Sequence, residues 1–281
     1  MAETSVNIRK PVKYVNGNHK HGKDISLNTT KRIFTQPLIS VIVPVYMEEK
    51  ILDSTLSVYT PELRRKYNVE LIVSDGGSTD RTLEIAEKYA DKIVLHKEKR
   101  RQTIAEGRNK GAEIAHGDIL VFINGDTVPA NVEFFFEYIS QIKDADSKHK
   151  AAAAFACTVT VAPSEKLFKD TIFYSVHNHY VRLLNKIGIG MGRGECQIVL
   201  TDVFKKVNGY NGSFTAGEDF DLYRRISKIG KIHFIKDIVV LESPRRFRKF
   251  GYVRIISSWI LNSLSVMLLK RSVSKEWEAV R

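Results

Sequence analysis

The chain has 281 residues, 43% of them hydrophobic and 27% charged, which suits one large α/β domain or two small ones of ordinary soluble composition. That excludes a metal- or disulfide-stapled miniprotein, a collagen-like or wholly disordered chain and a polytopic membrane protein; the two cysteines, Cys157 and Cys196, offer neither a disulfide framework nor a repeated metal-ligand spacing. Lys and Arg number 44 against 32 Asp and Glu, a formal charge of +12, which favours an anionic partner such as a nucleotide, a nucleic acid or an acidic membrane surface.

Residues 1–36 are polar and basic, are broken by Pro11, Gly17 and Gly22, and lack any period of 2 or 3.6; a flexible basic arm is expected there. The arm holds no apolar run of signal-peptide length, so export by a cleaved signal is not expected, and the sparse cysteines point to the cytoplasm. Residues 39–45 are nearly continuous Val and Ile, the pattern of a parallel strand buried on both faces. A helix over 48–67 is expected next, then a strand over 69–74, a helix over 80–89, a strand over 92–95, a helix around 104–115 and a strand over 119–123. Such alternation predicts a mostly parallel sheet with helical crossovers.

Further along, 151–161 reads as a strand and 165–184 as a helix. In that helix Phe168, Ile172, Val176, Tyr180 and Leu184 recur about once per turn, a stripe assigned first to core packing. A glycine-rich loop, 188–194, leads into a short strand and then into a helix beginning near Glu218. Residues 251–281 are expected to form an amphipathic tail helix. Its run 255–269 is uncharged but shorter than the roughly 20 apolar residues of a spanning helix. Ser258, Asn262 and Ser265 make a polar stripe on it, and Arg245, Arg246, Arg248, Lys249 and Arg254 precede it. Two readings stay open: a helix lying in the plane of an anionic membrane, or one packed on the domain or on a dimer partner.

Ligands of open parallel sheets bind beyond the carboxyl ends of the strands. There the chain carries Pro44, Tyr46 and Glu48 after the first strand, Asp75 with Gly76 and Gly77 after the second, and Asn124, Gly125 and Asp126 after the fourth. Thr79 or Asp80 is a natural cap for the next helix, but capping does not account for Asp75, which suits hydrogen bonding to a base or ribose. The Asn124-Gly-Asp126 triplet is either a surface turn or a pair of oxygen donors for a hard divalent cation. Glu218 and Asp219 are either dipole-favoured acids at a helix start or, for Asp219 with Asp221, a base for an attacking hydroxyl.

In order and spacing, VIVPVY, SDGGSTD, Arg108-Asn109-Lys110-Gly111, FINGDT and GEDFDLYRR resemble the inverting family 2 glycosyltransferases, over about Pro37 to Pro244. The resemblance implies a GT-A fold, a Rossmann-like α/β fold of nucleotide-diphosphate-sugar transferases with a mostly parallel central sheet. A nucleotide-binding half of about 37–128 would precede an acceptor half of about 129–250. It implies a metal-dependent, hexosyltransferase-like enzyme using Mg²⁺ or Mn²⁺ and a nucleotide-diphosphate sugar, UDP-linked by default, in glycan or cell-envelope biosynthesis. By position, Tyr46 and Asp75 match the groups that hold base and ribose, with Pro44 and Glu48 nearby. Arg101 or Arg108 would face the diphosphate, Asn124 and Gly125 would line the nucleotide, Asp126 would hold the metal, and Asp219 would be the general base with Glu218 beside it. Arg245, Arg246 and Arg248 resemble the basic stretch of non-processive members.

Two residues depart from the family pattern: Asn124 stands where the metal motif has its first acid, and Gly76 where the Asp-Asp-Gly-Ser turn has its second. Gln-x-x-Arg-Trp is replaced after Pro244 by Arg-Arg-Phe-Arg, which favours transfer of a single sugar over polymer synthesis. The acidic Tyr-Met-Glu-Glu after the first strand argues against a sugar-1-phosphate nucleotidyltransferase. A catalytically silent GT-A binding domain stays open. A nucleic-acid partner is not expected, because the basic residues are scattered and no RNA-binding or helix-turn-helix motif occurs. The acceptor would be a glycan or lipid-linked hydroxyl; a homodimer and a peripheral contact through 245–270, on the inner face of the cell membrane, stay open too.

Overall fold

Strands β2 (Ile39–Val45), β3 (Val69–Asp75) and β5 (Ile119–Ile123) are runs of Val, Ile and Leu buried along almost their whole length, as strands covered by helices on both faces must be. With β1 (Lys13–Asn16), β4 (Lys92–Leu95), β6 (Thr127–Pro129), β7 (Ala152–Val161), β8 (Cys196–Leu200) and β9 (Lys231–Glu242) they form one nine-stranded sheet, ordered β1-β4-β3-β2-β5-β8-β7-β9-β6. Five of its eight pairings are parallel; β5 with β8, β8 with β7 and β9 with β6 are antiparallel. The computed structural model describes residues 12–16, 38–143, 152–269 and 271–273.

Helices α1 (Leu52–Leu56), α2 (Pro61–Lys66), α3 (Thr82–Tyr89), α4 (Ile104–Glu113), α5 (Val132–Ser140), α6 (Phe168–Lys186), α7 (Thr201–Lys206), α8 (Glu218–Ile226), α9 (Arg245–Phe250) and α10 (Tyr252–Leu269) accompany the sheet. From β2 the chain steps outward to β3 and β4, then crosses back to place β5 on the other side of β2. The loops after β2 and β5 therefore part in opposite directions and leave a crevice at that edge.

Three expectations are corrected. Lys13–Asn16, placed in the loose arm, is an edge strand parallel to β4; four residues are too few for a period to show. The rest of the expected arm, Val12 apart, lies outside the described residues. The helix expected over 48–67 is two helices, because Pro61 cannot continue a helix but starts one well, and Thr60 Oγ1 caps α2 by accepting from the Leu63 amide. The stripe of α6 does not face the core: Phe168, Ile172, Val176 and Tyr180 are exposed, while Asp170, Tyr174, Val181 and Leu184 turn inward. On α10 the polar stripe is the packed side, with Asn262 and Ser265 buried. These two side chains fold the following residues back onto the helix: Asn262 Oδ1 accepts from the Val273 amide at 3.0 Å and Ser265 Oγ donates to the Arg271 carbonyl at 2.7 Å.

Helix α10 thus packs on the domain by one face. Ile255 and Val266 are buried, and Ser272 Oγ donates to the Ala216 carbonyl at 2.7 Å and accepts from the amides of Thr215 and Ala216 at 3.2 Å. No described helix is long and apolar enough to cross a membrane. Cys157 and Cys196 are buried free thiols. Helices α6, α9 and α10 meet at Phe247, whose ring centroid lies 5.0 Å from Phe173, 4.8 Å from Tyr252 and 5.8 Å from Trp259. Phe247→Ala is expected to cost about 3–5 kcal/mol through the lost burial and the cavity left behind. Urea unfolding measures it, and a loss below about 1 kcal/mol, far under that range, would contradict the role of this ring as the anchor of α9 and α10.

Candidate active site

The crevice is built from strand ends. Asp75 Oδ2 accepts from the amides of Gly77 and Ser78, both at 3.0 Å, which shapes the turn after β3. Its other oxygen, Oδ1, is buried with no partner among the described residues, an unsatisfied acceptor at the carboxyl end of β3. The same turn holds the loop after β2: the amides of Met47, Glu48 and Glu49 donate to Ser78 Oγ, Thr82 Oγ1 and Asp80 Oδ2. At Gly76 a side chain would come within 3.3 Å of the Val45 carbonyl, so a residue lacking one lets the turn lie close to β2. Tyr46, next to Pro44 and Val45, carries the Arg101 guanidinium 4.9 Å from its ring centroid.

Arg108 lies elsewhere. It is fully buried, and its Nη1 donates to Glu218 Oε1 at 2.9 Å while its Nη2 donates to Asn124 Oδ1 at 2.9 Å and to the Gly194 carbonyl at 2.7 Å. The guanidinium is an internal strut between α4, β5, the loop before β8 and α8, and the side-chain oxygen of Asn124 is engaged by it. Of the two arginines expected at the diphosphate, the structure leaves Arg101 at the surface and commits Arg108 to the interior.

Beside the strut, Gly217 takes φ +82° and opens α8, so that Glu218 turns to Arg108 and Asp219 into the crevice. Asp219 Oδ1 accepts from the Phe220 amide at 2.8 Å. The Asp219 carboxyl is pushed up to about 7, first by loss of water around it and then by the charge of Glu218, with Arg108 opposing. Gly194 leaves room beside it: a Cβ there would lie 3.6 Å from Asp219 Oδ2. Asp221 is directed away into a 2.8 Å pair with Arg225.

Asp126 follows Gly125 in the tight turn between β5 and β6. It shares one cation with Glu48: Arg245 Nη2, from α9, lies 3.2 Å from Asp126 Oδ2 and 2.6 Å from Glu48 Oε2. Burial raises the Asp126 pKa, against the pull of Arg245. Two carboxylates closing on one positive group is the arrangement a hard cation needs, with the guanidinium standing in its place. Among the described residues no group of three His, Cys, Asp or Glu could hold a metal ion; a cation here would have two protein carboxylates and take its other oxygens from water or phosphate.

A second buried cluster borders these groups and was not expected. Arg193 Nε donates to Glu195 Oε2 at 3.1 Å, its Nη2 donates to Glu242 Oε1 at 3.0 Å, and Tyr174 Oη donates to the same Glu242 oxygen. Burial raises Glu242, helped by the Glu195 charge, whereas the Arg193 guanidinium overrides burial and holds Glu195 low. His177, stripped of water and facing Arg193, falls to about 3. Glu195 precedes an antiparallel strand, so a search of carboxyl ends passes it by, although the start of β8 and the end of β5 share one edge. The signal available was Glu195 directly after the glycine-rich loop.

Comparison with known proteins agrees with this geometry. The sequence model of glycosyl transferase family 2 matches residues 40–207, more than half of the chain. The chain belongs to that family. A glycosyltransferase of Haloferax volcanii, AglE, is 37% identical over 98 residues, 34% of this chain and 32% of that protein. The validoxylamine A glucosyltransferase of Streptomyces hygroscopicus subsp. limoneus is 33% identical over 91 residues, 31% of this chain and 20% of its own length. The matched segment therefore spans a third or less of these relatives. Among solved structures, the mannosyltransferase PcManGT from Pyrobaculum calidifontis, in complex with GDP-Man and Mn²⁺, superposes with a TM-score of 0.63 at 21% identity, over 84% of this chain and 64% of that one. The S. aureus protein TarS gives 0.56 at 22% identity, over 80% and 40%. These likenesses bear out the GT-A fold and mostly parallel sheet expected from the motifs.

Removing Arg108 strands Glu218 in the interior. Arg108→Met is expected to cost about 3–5 kcal/mol in urea unfolding, and Arg108→Met with Glu218→Leu to recover part of it. A single variant as stable as the parent would show that the strut carries no load.

Proposed function

We propose that this family 2 chain is an inverting glycosyltransferase that moves one sugar from a nucleotide-diphosphate donor to an acceptor hydroxyl. The observation carrying this reading is the convergence of Asp75, Asp126 and Asp219 on one edge in different states: one with an unsatisfied buried acceptor oxygen, one set on a cation, one raised to about 7. A silent binding domain needs the first two and has no use for the third.

In this reading Asp75 Oδ1 receives an N–H of the base, Tyr46 and Pro44 flank base and ribose, and Asn124 and Gly125 present the turn beneath the nucleotide. Arg101, adjacent to Tyr46, reaches the diphosphate. Asp126, with Glu48 beside it, would hold Mg²⁺ or Mn²⁺, which when bound offsets the charge on the leaving diphosphate. Arg245 leaves Asp126 as the donor arrives. Asp219 takes the proton of the acceptor hydroxyl as it attacks the anomeric carbon from the face opposite the diphosphate; a base near neutrality is well matched to that task. Gly194 keeps the space beside its carboxylate open. The Mn²⁺ and GDP-Man bound to the Pyrobaculum mannosyltransferase, and the UDP-GlcNAc and UDP bound to TarS residues 1–349, support the donor class. UDP is the default base, and the acceptor is a glycan or lipid-linked hydroxyl.

Asp219→Asn is expected to slow transfer by about 100-fold or more while nucleotide affinity stays within a few-fold; loss of affinity along with activity would remove Asp219 from the base role. Because only the ionised carboxylate accepts a proton, the parent rate should rise with pH through about 7 and level off above it. A flat profile from pH 5 to 8, a span bracketing that value, would contradict the assignment. Asp126→Ala should abolish the Mn²⁺-dependent part of nucleotide binding in calorimetry, and an unchanged metal dependence would exclude it as the metal ligand.

A further inference from the structure

Helices α6 and α10 both bury polar groups and expose apolar ones. On α6, Phe168 is 81% and Val176 65% exposed, with Ile172 and Tyr180 between and beyond them; on α10, Val253 is 80% exposed and Ile260 and Leu261 are exposed as well. The two faces adjoin. Trp259 of α10 lies 5.4 Å from the His177 ring and 6.2 Å from that of Phe173, and His177 lies 6.3 Å from Tyr180. Adjoining apolar side chains on this scale mark a contact surface.

The charges around this surface are predominantly of one sign, the exposed Glu165 beside Arg248 excepted. Between Glu242 and Glu276 the sequence has eight Lys and Arg and no acid. Arg246, Lys249 and Arg254 gather around the Phe250 ring at 5.7, 5.2 and 5.0 Å, and α6 adds exposed Lys169, Arg182 and Lys186. The one acid of α6, Asp170, is buried and paired with Arg248. A second copy of the chain docked through the same face would bring this cationic fringe against itself, since a two-fold contact joins identical patches. A bilayer bearing anionic headgroups satisfies both features, receiving the apolar side chains at the acyl boundary and the cations at the phosphates.

We infer that the α6–α10 face is a membrane-docking surface for anionic lipid, on which the domain lies without spanning. Helix α9 links this surface to the crevice: Arg245 reaches Asp126 and Glu48, while Phe247, two residues on, anchors the rings of α6 and α10. Docking therefore sets the acidic edge beside the headgroup layer. This surface is argued from burial and charge and does not rest on the transfer reaction proposed above.

The test is cosedimentation of the full chain with vesicles of phosphatidylglycerol and phosphatidylcholine, against phosphatidylcholine alone. Point variants are preferred to deletion of α10, which would uncover Ile255 and Val266. Binding is expected to the anionic vesicles, to weaken with added salt, and to fall at least about tenfold in Ile172→Glu with Val176→Glu and again in Val253→Glu. The urea midpoint and nucleotide affinity of these variants should match the parent, since the side chains contact solvent. Failure to bind anionic vesicles, or binding that these variants leave unchanged, overturns the inference. So does a dimer in light scattering that the same substitutions dissolve, because a second copy would then own the face. Loss of transfer with vesicle binding intact would count against the proposed reaction and leave this surface standing.

Discussion

A guanidinium buried in the interior has to be met by charge and by acceptors, because a solitary ion there is several kcal/mol too costly. Arg108 meets that requirement with groups from three distant parts of the chain: Asn124 at the end of β5, Gly194 before β8, and Glu218 at the start of α8. Satisfying one side chain therefore fixes the turn carrying Asp126 relative to the helix start carrying Asp219. The two carboxylates face one crevice because both are tied to the same strut. The neighbouring Arg193, also buried, repeats the device with Glu195 and Glu242.

The same constraint explains the division of labour among the acids. Glu218 is spent on Arg108, and Asp219 is left without a cation of its own. Burial and the adjacent charge then raise its pKa instead of lowering it, as the role of base proposed for it requires. Asp126, by contrast, sits with Glu48 against Arg245, where the proposed cation would bind. One edge of one sheet thus holds three acids in three different settings.

Much of this was legible in the sequence, and what was not has identifiable causes. β2, β4 and β5 occupy the residues expected of them, because strands buried on both faces leave unbroken apolar runs. The motif order gave the family and the fold. The strand-end rule finds Asp75 and Asp126, which end or follow the parallel strands β3 and β5; Asp219, at the start of α8, was legible from its motif. The rule misses Glu195, which stands before an antiparallel strand. Arg108 was read as a ligand-facing arginine because its burial depends on Glu218, 110 positions away. The stripe of α6 was assigned to the wrong face for a related reason: periodicity shows that a helix has two sides, and the packing of Phe173, Phe247 and Trp259 decides which of them turns inward.

The central claim is that this edge binds a nucleotide diphosphate together with a divalent cation. Its most direct test is thermal unfolding with UDP, GDP and dTDP, each with and without Mn²⁺. A ligand at 100 times its dissociation constant adds about 2.7 kcal/mol to the folded state, so a metal-dependent rise in melting temperature with one nucleotide is the predicted result. Equal melting curves with all three, with and without the metal, would contradict it.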